Sequence, residues 1–194
     1  MREKISKLVS AIILAGALFA QNSEAVDLSQ YTPLEKQLIK HEGFKNQRYY
    51  DTGGIPHVGV GFNLKRYDAK QKISSVGADY DKVLKGEQKL DDKQITFLFR
   101  QDLSNATCNA KVIIKDYDSQ PAKVKNVVVD MIYNVGPAKF KEFKRTINCI
   151  EEHNYKGAAL RMKRSPWYRQ TGYRAKELVG LMATAEYVPS SFSK

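Results

Sequence analysis

The sequence predicts an α+β fold, mostly helical and in two lobes, with a small antiparallel β-hairpin lobe joined by a long helix to a helical lobe. Three observations predict it. Tyr49-Tyr50-Asp51 and the run His57 to Phe62 flank Thr52-Gly53-Gly54, a hairpin signal. From Leu90 to Ile114 the residues Ile95, Leu98, Phe99, Leu103, Ala106 and Ala110 recur at helical spacing. Such a helix of about 22 residues spans roughly 33 Å, enough to link two lobes. Pro121 to Val135, with Val124, Val127, Val128, Met131 and Ile132, is the most apolar amphipathic stretch and predicts a core helix.

Taken in order, residues 1 to 25 read as a secretory signal peptide. Arg2, Lys4 and Lys7 precede an apolar run from Leu8 to Ala20, and Ser23-Glu24-Ala25 supplies small residues for cleavage. The run is short for a membrane span, and a retained anchor is the alternative reading. Val26 to Tyr31 is a leader. Thr32-Pro33-Leu34-Glu35 is a capping box with proline at the first helical position, opening a helix that Gly43 ends. Leu38 and Glu42, four apart, share its apolar stripe. Gly59 and Gly61 alternate, so one face of the return strand is bare and lets another group approach closely. Asp68 to Val76 and Ala78 to Lys85 predict two short helices. Asp91 and Gln94 box the start of the long helix. After Gly136-Pro137, short helices are expected at 138–143, 146–152, 155–162 and 173–182, with Ser165-Pro166-Trp167-Tyr168 as a link. The hairpin lobe covers about 43–90, the helical lobe about 91–185 plus helix 32–42, and 186–194 is a tail.

The chain carries a formal net charge of +11. A field of that sign favours polyanionic partners, and for an exported chain a wall polymer or anionic surface is the expected one. Nucleic acid is not expected, because the cations gather on no single helix. The predicted export also implies no stable membrane insertion once the signal is removed, and a monomer. Cys108 and Cys149 are the only cysteines, and an oxidising compartment permits them to pair. His41, His57 and His153 are too scattered for a metal site, and no cofactor is expected.

The chemistry concentrates at residues 41 to 64. Glu42, on a partly apolar helix face, is in a setting that keeps a carboxylic acid protonated and able to donate to a leaving oxygen. Asp51, nine residues later in an open polar turn, suits the second carboxylate of a glycoside hydrolase. His57 opens the return strand beside them.

This stretch, a helical Glu, nine residues to Asp, then a hairpin ending in Gly-x-Gly, resembles the active-site hairpin of the phage-type lysozymes, glycoside hydrolase family twenty-four. Asp130-Met131-Ile132-Tyr133-Asn134-Val135-Gly136, followed by Phe143 and Thr146, is similar to that family's core helix and the segment after it. Ser165 to Lys176 (Ser-Pro-Trp-Tyr-Arg-Gln-Thr-Gly-Tyr-Arg-Ala-Lys) is similar to its Trp-Tyr-x-Gln-Thr-x-x-Arg-Ala segment. The three motifs stand in family order across about residues 32 to 185. The resemblance implies a lysozyme-like fold with Glu42 as general acid and Asp51 as the second carboxylate. It further implies Arg174 as the ion-pair partner of Glu42, and sugar contacts at Tyr133 and Thr146.

Departures from the pattern are informative. The family's threonine on the return strand is His57 here, a stronger base and nucleophile, which implies either water activation with Asp51 or direct attack on the anomeric carbon. The family's histidine after Gly-x-Gly is Phe62, so Asp102 loses that salt-bridge partner. A leucine contact becomes Asn63, and another contact position falls on Arg161. The implied function is a secreted or periplasmic muramidase that cleaves the β-1,4 bond between N-acetylmuramic acid and N-acetylglucosamine in peptidoglycan. A non-catalytic cationic wall-binding or antibacterial protein on the same fold is the alternative.

Overall fold

Thr32 opens the first helix of the domain, α1 (Pro33–Glu42), as the sequence predicts. Its hydroxyl accepts the Glu35 N–H, and the Glu35 carboxylate accepts the Thr32 N–H at 2.7 Å. The computed structural model describes residues 26–188. The signal-peptide reading of residues 1 to 25 and the end of the expected tail lie outside the described residues. Residues 26–30 belong to a separate short unit holding one turn, Leu28–Gln30, in which Ser29 bonds to the Asp27 carboxylate. The unit that begins at Tyr31 carries everything below.

Gly43, at φ 81°, ends α1 and turns the chain into β1 (Lys45–Tyr50). β1 pairs antiparallel with β2 (Pro56–Gly59), and β2 with β3 (Phe62–Asn63), in the order β1-β2-β3. The single strand expected from His57 to Phe62 is therefore two strands and a tight turn. The cause is local: Gly59 and Gly61 adopt φ 65° and 72°, values that L side chains avoid and that reverse the chain at Val60. Register places His57 opposite both Tyr49 and Asn63, so these three side chains form one row across the sheet.

The sheet rests on the long helix α4 (Asp92–Ile113), which is reached through α2 (Ala69–Ser75) and α3 (Tyr80–Lys85). Asp91 and Gln94 form the expected capping box, and α4 is 22 residues long. Contact between sheet and helix is close because Gly59 has no side chain. A Cβ there would sit 3.1 Å from Ile95 Cγ2.

Beyond α4 the fold is helical: α5 (Ala122–Val135), α6 (Pro137–Phe140), α7 (Lys144–Glu151), α8 (Tyr155–Lys163), α9 (Pro166–Thr171) and α10 (Tyr173–Ala183). With these, the described residues hold ten helices and one three-stranded sheet, a lysozyme-like α+β architecture. α5 is the buried centre, with Val124, Val127, Val128, Val129, Met131 and Ile132 all enclosed. The expected link at Ser165–Tyr168 is instead the start of α9. Ser165 Oγ accepts the Tyr168 N–H with Pro166 at the first position, the same start signal as Thr32-Pro33. Cys108 and Cys149 stand as free thiols, so the permitted disulfide is not formed.

A carboxylate lies inside this core. Asp130 on α5 has no exposed surface. Its carboxylate accepts from Gln37 (2.7 Å) and His41 (2.9 Å) on α1 and from Arg174 Nε (2.7 Å) on α10, which ties three helices together. Burial alone would raise its pKa. The His41 and Gln37 bonds and the Arg174 charge together outweigh burial and hold it below the ordinary 3.8.

Two outcomes follow. Gly59→Ala forces a left-handed backbone and a contact with Ile95, and is expected to destabilise the protein by about 1–3 kcal/mol in urea denaturation. A folded-state pKa below the unfolded one means that the Asp130 contribution is complete above the unfolded value and is lost as pH falls through the folded one. The melting temperature should therefore drop below about pH 4, and more shallowly in Asp130→Asn, whose neutral-pH stability is already reduced.

Candidate active site

Glu42 is the last residue of α1, and its side chain is 21% exposed. Two neighbours fix its carboxylate. Arg174 Nη1 donates to Oε1 at 2.5 Å. Oε2 lies against Gly61, where a Cβ would approach to 2.8 Å. The group that the bare strand face lets in is thus the Glu42 carboxylate at Gly61, and Ile95 at Gly59. Tyr133 on α5 donates its hydroxyl to Val60 O at 2.7 Å and so pins the β2–β3 turn over Glu42. Burial first, then the charges of Asp102 and Glu42, raise the Tyr133 pKa well above the phenol range, which keeps it a neutral donor.

Asp51 and His57 are anchored on one residue, Ile55. Asp51 Oδ1 accepts the N–H groups of Gly53 (2.9 Å) and Ile55 (2.8 Å). His57 Nδ1 donates to Ile55 O at 3.0 Å. A carbonyl only accepts, so the hydrogen of the neutral ring sits on Nδ1 and the lone pair on Nε2. The ring stacks on Tyr49, with centroids 5.7 Å apart at 29°.

Tyr49 connects the two halves of the site. Burial raises its pKa, the negative charges of Glu42 and then Asp51 add to the rise, and a bond from the Gly61 backbone opposes it. The phenol is thus within the field of both carboxylates while its ring supports His57. Reading the sequence for reactive groups overlooked it. The available signal was its place directly across the hairpin from His57.

A groove of about 520 Å³ opens beside this cluster, with His57, Gly61, Asn63, Tyr67 and Tyr133 among its walls. Tyr67, fully exposed on its lip, is a second residue missed in the sequence. Asn63 Oδ1 accepts the Lys65 N–H, so its amide NH₂ remains for a ligand. Asp102, which has lost the cation that position 62 could have supplied, is met by another. Arg66 donates to both of its oxygens (2.7 and 2.9 Å) and to both oxygens of Asp68, while Lys72 adds a contact at 3.4 Å. The Arg66 guanidinium lies 4.5 Å over the Phe62 ring, so Phe62 supplies a platform for the cation that meets Asp102. Burial would lower the Arg66 pKa, but its bonds to Asp68 and Asp102 dominate and raise it.

Thr146 and Arg161 are not in this groove. They line a second basin of about 720 Å³ that also carries Lys139, Lys144, Arg145 and Arg164, and Thr146 is only 3% exposed. The basin and the groove share a wall, where Trp167 Nε1 donates to Asn134 Oδ1 at 2.9 Å. The structure thus gathers His57, Asn63 and Tyr133 on one groove. Glu42 meets it at Gly61, Asp51 joins through Ile55 and Tyr49, and Arg174 stands behind Glu42. Among the described residues no cluster of His, Cys, Asp or Glu is suited to hold a metal ion. The cluster offers a carboxyl group held by a cation and, linked to it through Tyr49, a second carboxylate and an imidazole with a directed lone pair.

Comparison with known proteins agrees with the fold. The phage lysozyme family model matches residues 39–185. Two proteins of Dictyostelium discoideum are similar in sequence. Probable T4-type lysozyme 2 is 25% identical over 158 residues, and probable T4-type lysozyme 1 is 27% identical over 161 residues. Each alignment covers 77% of this chain and 93% of the relative. With the match running from the end of α1 through α10, across the hairpin and the Arg174 helix, the chain belongs to the phage lysozyme family.

Proposed function

We propose that this protein is an exported muramidase that hydrolyses the β-1,4 bond between N-acetylmuramic acid and N-acetylglucosamine in peptidoglycan. The observation that carries the reading is the Glu42 carboxyl group, seated on Gly61, paired with Arg174 and linked through Tyr49 to an Asp51–His57 pair oriented by Ile55. Protonated Glu42 gives its proton to the glycosidic oxygen as the bond from the anomeric carbon breaks. Asp51 supplies negative charge to the oxocarbenium-like centre. Water attacks that carbon while its proton passes to His57 Nε2, and the configuration inverts. Direct attack by Nε2 is the competing route, and it retains configuration through a covalent adduct.

The family match and the named relatives support the lysozyme class. The basic signal-like start supports secretion or delivery to a periplasm. The +11 charge and the cationic second basin suit an acidic wall polymer, with the basin placed to meet anionic substituents of a glycan lying in the groove.

Three measurements test the proposal. Glu42→Gln should clear purified cell walls at least about 100-fold more slowly while still binding them. Equal clearing would remove Glu42 as the acid, and no clearing by either form would leave the wall-binding alternative. NMR of the first-formed sugar should show the α-anomer, and a β-anomer would replace water activation by covalent attack from His57. Raising ionic strength from about 0.05 to 0.5 M should slow clearing of intact walls more than cleavage of short neutral oligosaccharides.

A further inference from the structure

His41 precedes the acid on α1 and takes no part in the chemistry above, yet its side chain is only 1% exposed. Both ring nitrogens face carboxylates. Nδ1 lies 2.9 Å from Asp130 Oδ2, and Nε2 lies 3.4 Å from Glu177 Oε2. The charged groups around the ring are Asp130 on α5, Arg174 and Glu177 on α10, and its own neighbours Lys40 and Glu42. Lys40 is bonded to both Glu177 oxygens. On the far side of Asp130, Oδ1 accepts from Arg174 Nε and the main-chain carbonyl accepts from Nη2. The remaining nitrogen of the same guanidinium, Nη1, holds Glu42. A line of direct contacts therefore runs from His41 through Asp130 and Arg174 to Glu42.

We propose that His41 is a positioning residue for the acid: its Nδ1–H bond to Asp130 fixes the guanidinium that holds Glu42. This rests on the reading of Glu42 as proton donor. Asp130 is a fully buried carboxylate, so its charge must be met by donors within the protein. Its Oδ2 has two, His41 and the neutral amide of Gln37. Without His41, Asp130 depends more heavily on Arg174. That guanidinium is then drawn toward α5, and its grip on Glu42 loosens. The two His41 contacts also differ in kind. Carboxylates only accept, so the ring meets both only when both nitrogens carry hydrogen. The Asp130 bond needs hydrogen on Nδ1 alone, and the Glu177 contact needs it on Nε2.

The two nitrogens can be separated by substitution. Asn places an amide nitrogen where Nδ1 lies, Gln places one where Nε2 lies, and Leu supplies neither. Expected for His41→Leu and His41→Gln is a kcat about tenfold below wild type with KM within about twofold, the pattern of a displaced acid rather than weakened binding. His41→Asn should recover most of the loss. Wild-type kcat in the Leu variant, or an Asn variant no better than Leu, would overturn the proposal. A direct readout covers the case in which Leu does not fold. In imidazole ¹⁵N NMR of the unmodified protein, Nδ1 of His41 should carry hydrogen. A bare Nδ1 rules out the bond. If wild-type protein clears no walls, it is the muramidase reading that fails, and the NMR result still decides whether the His41–Asp130 bond exists.

Discussion

The guanidinium of Arg174 is shared between two carboxylates, Asp130 inside the core and Glu42 at its edge, and much of the molecule is arranged so that this sharing can occur. Arg174 itself is 8% exposed. A cation so far from water is stable only where negative groups and hydrogen-bond acceptors surround it. Burial would lower its pKa, but the charges of Asp130 and Glu42 dominate and raise it. The three groups come from α1, α5 and α10, which are distant in sequence, so helix packing must be right before Glu42 has a partner. Helix packing in turn is set by the apolar face of α5. The hydrophobic core and the electrostatics around Glu42 are therefore one construction: Val127, Val128 and Met131 bring the helices together, and Asp130 on the same helix uses that proximity.

The opposite side of Glu42 is governed by backbone conformation rather than charge. The β2–β3 turn can lie on the carboxylate because Gly61 has no Cβ, and it stays there because Tyr133 bonds to Val60. Phe62 and Asn63 leave this turn in opposite directions. Phe62 goes under the Arg66 guanidinium, and Asn63 goes into the row with His57 and Tyr49. A two-residue strand thereby serves the ion-pair cluster at Asp102 with one face and the groove with the other, as strand alternation requires.

Local rules were legible in the sequence, and long-range partners were not. The capping boxes at Thr32 and Asp91, the stop at Gly43 and the length of α4 depend on residues within a few positions of one another, and the structure has them as expected. The same local signal at Ser165-Pro166 was passed over as a link and proved to start α9. His57 to Phe62 reads as one strand because alternation is the stronger pattern, while the turn depends on the sign of φ at two glycines. Phe62 removes a cation that could meet Asp102, and the partner it has, Arg66, follows only from the chain after β3 curling back over Phe62. Thr146 and Arg161 share no groove with His57, because α7 and α8 carry them to the far side of the Asn134–Trp167 wall.

Glu42 and the Asp51–His57 pair, the proposed acid and its counterparts, are built on different principles, and that difference bears on how the site tolerates change. Asp51, Ile55 and His57 span a single turn, and each hydrogen bond that orients the two reactive groups is between residues two or four apart. A hairpin that closes correctly therefore orients them with little help from the rest of the protein. Glu42 depends on Arg174, 132 positions away, and through it on Asp130 and on His41. Replacing His57 should leave Glu42 in place, since no contact of its ring reaches the Arg174 cluster. A change at Asp130 would instead disturb Glu42 and the packing of three helices together. His57 lies on the locally determined side, where its imidazole needs only an acceptor for Nδ1 and a ring to rest on, and Ile55 and Tyr49 supply both.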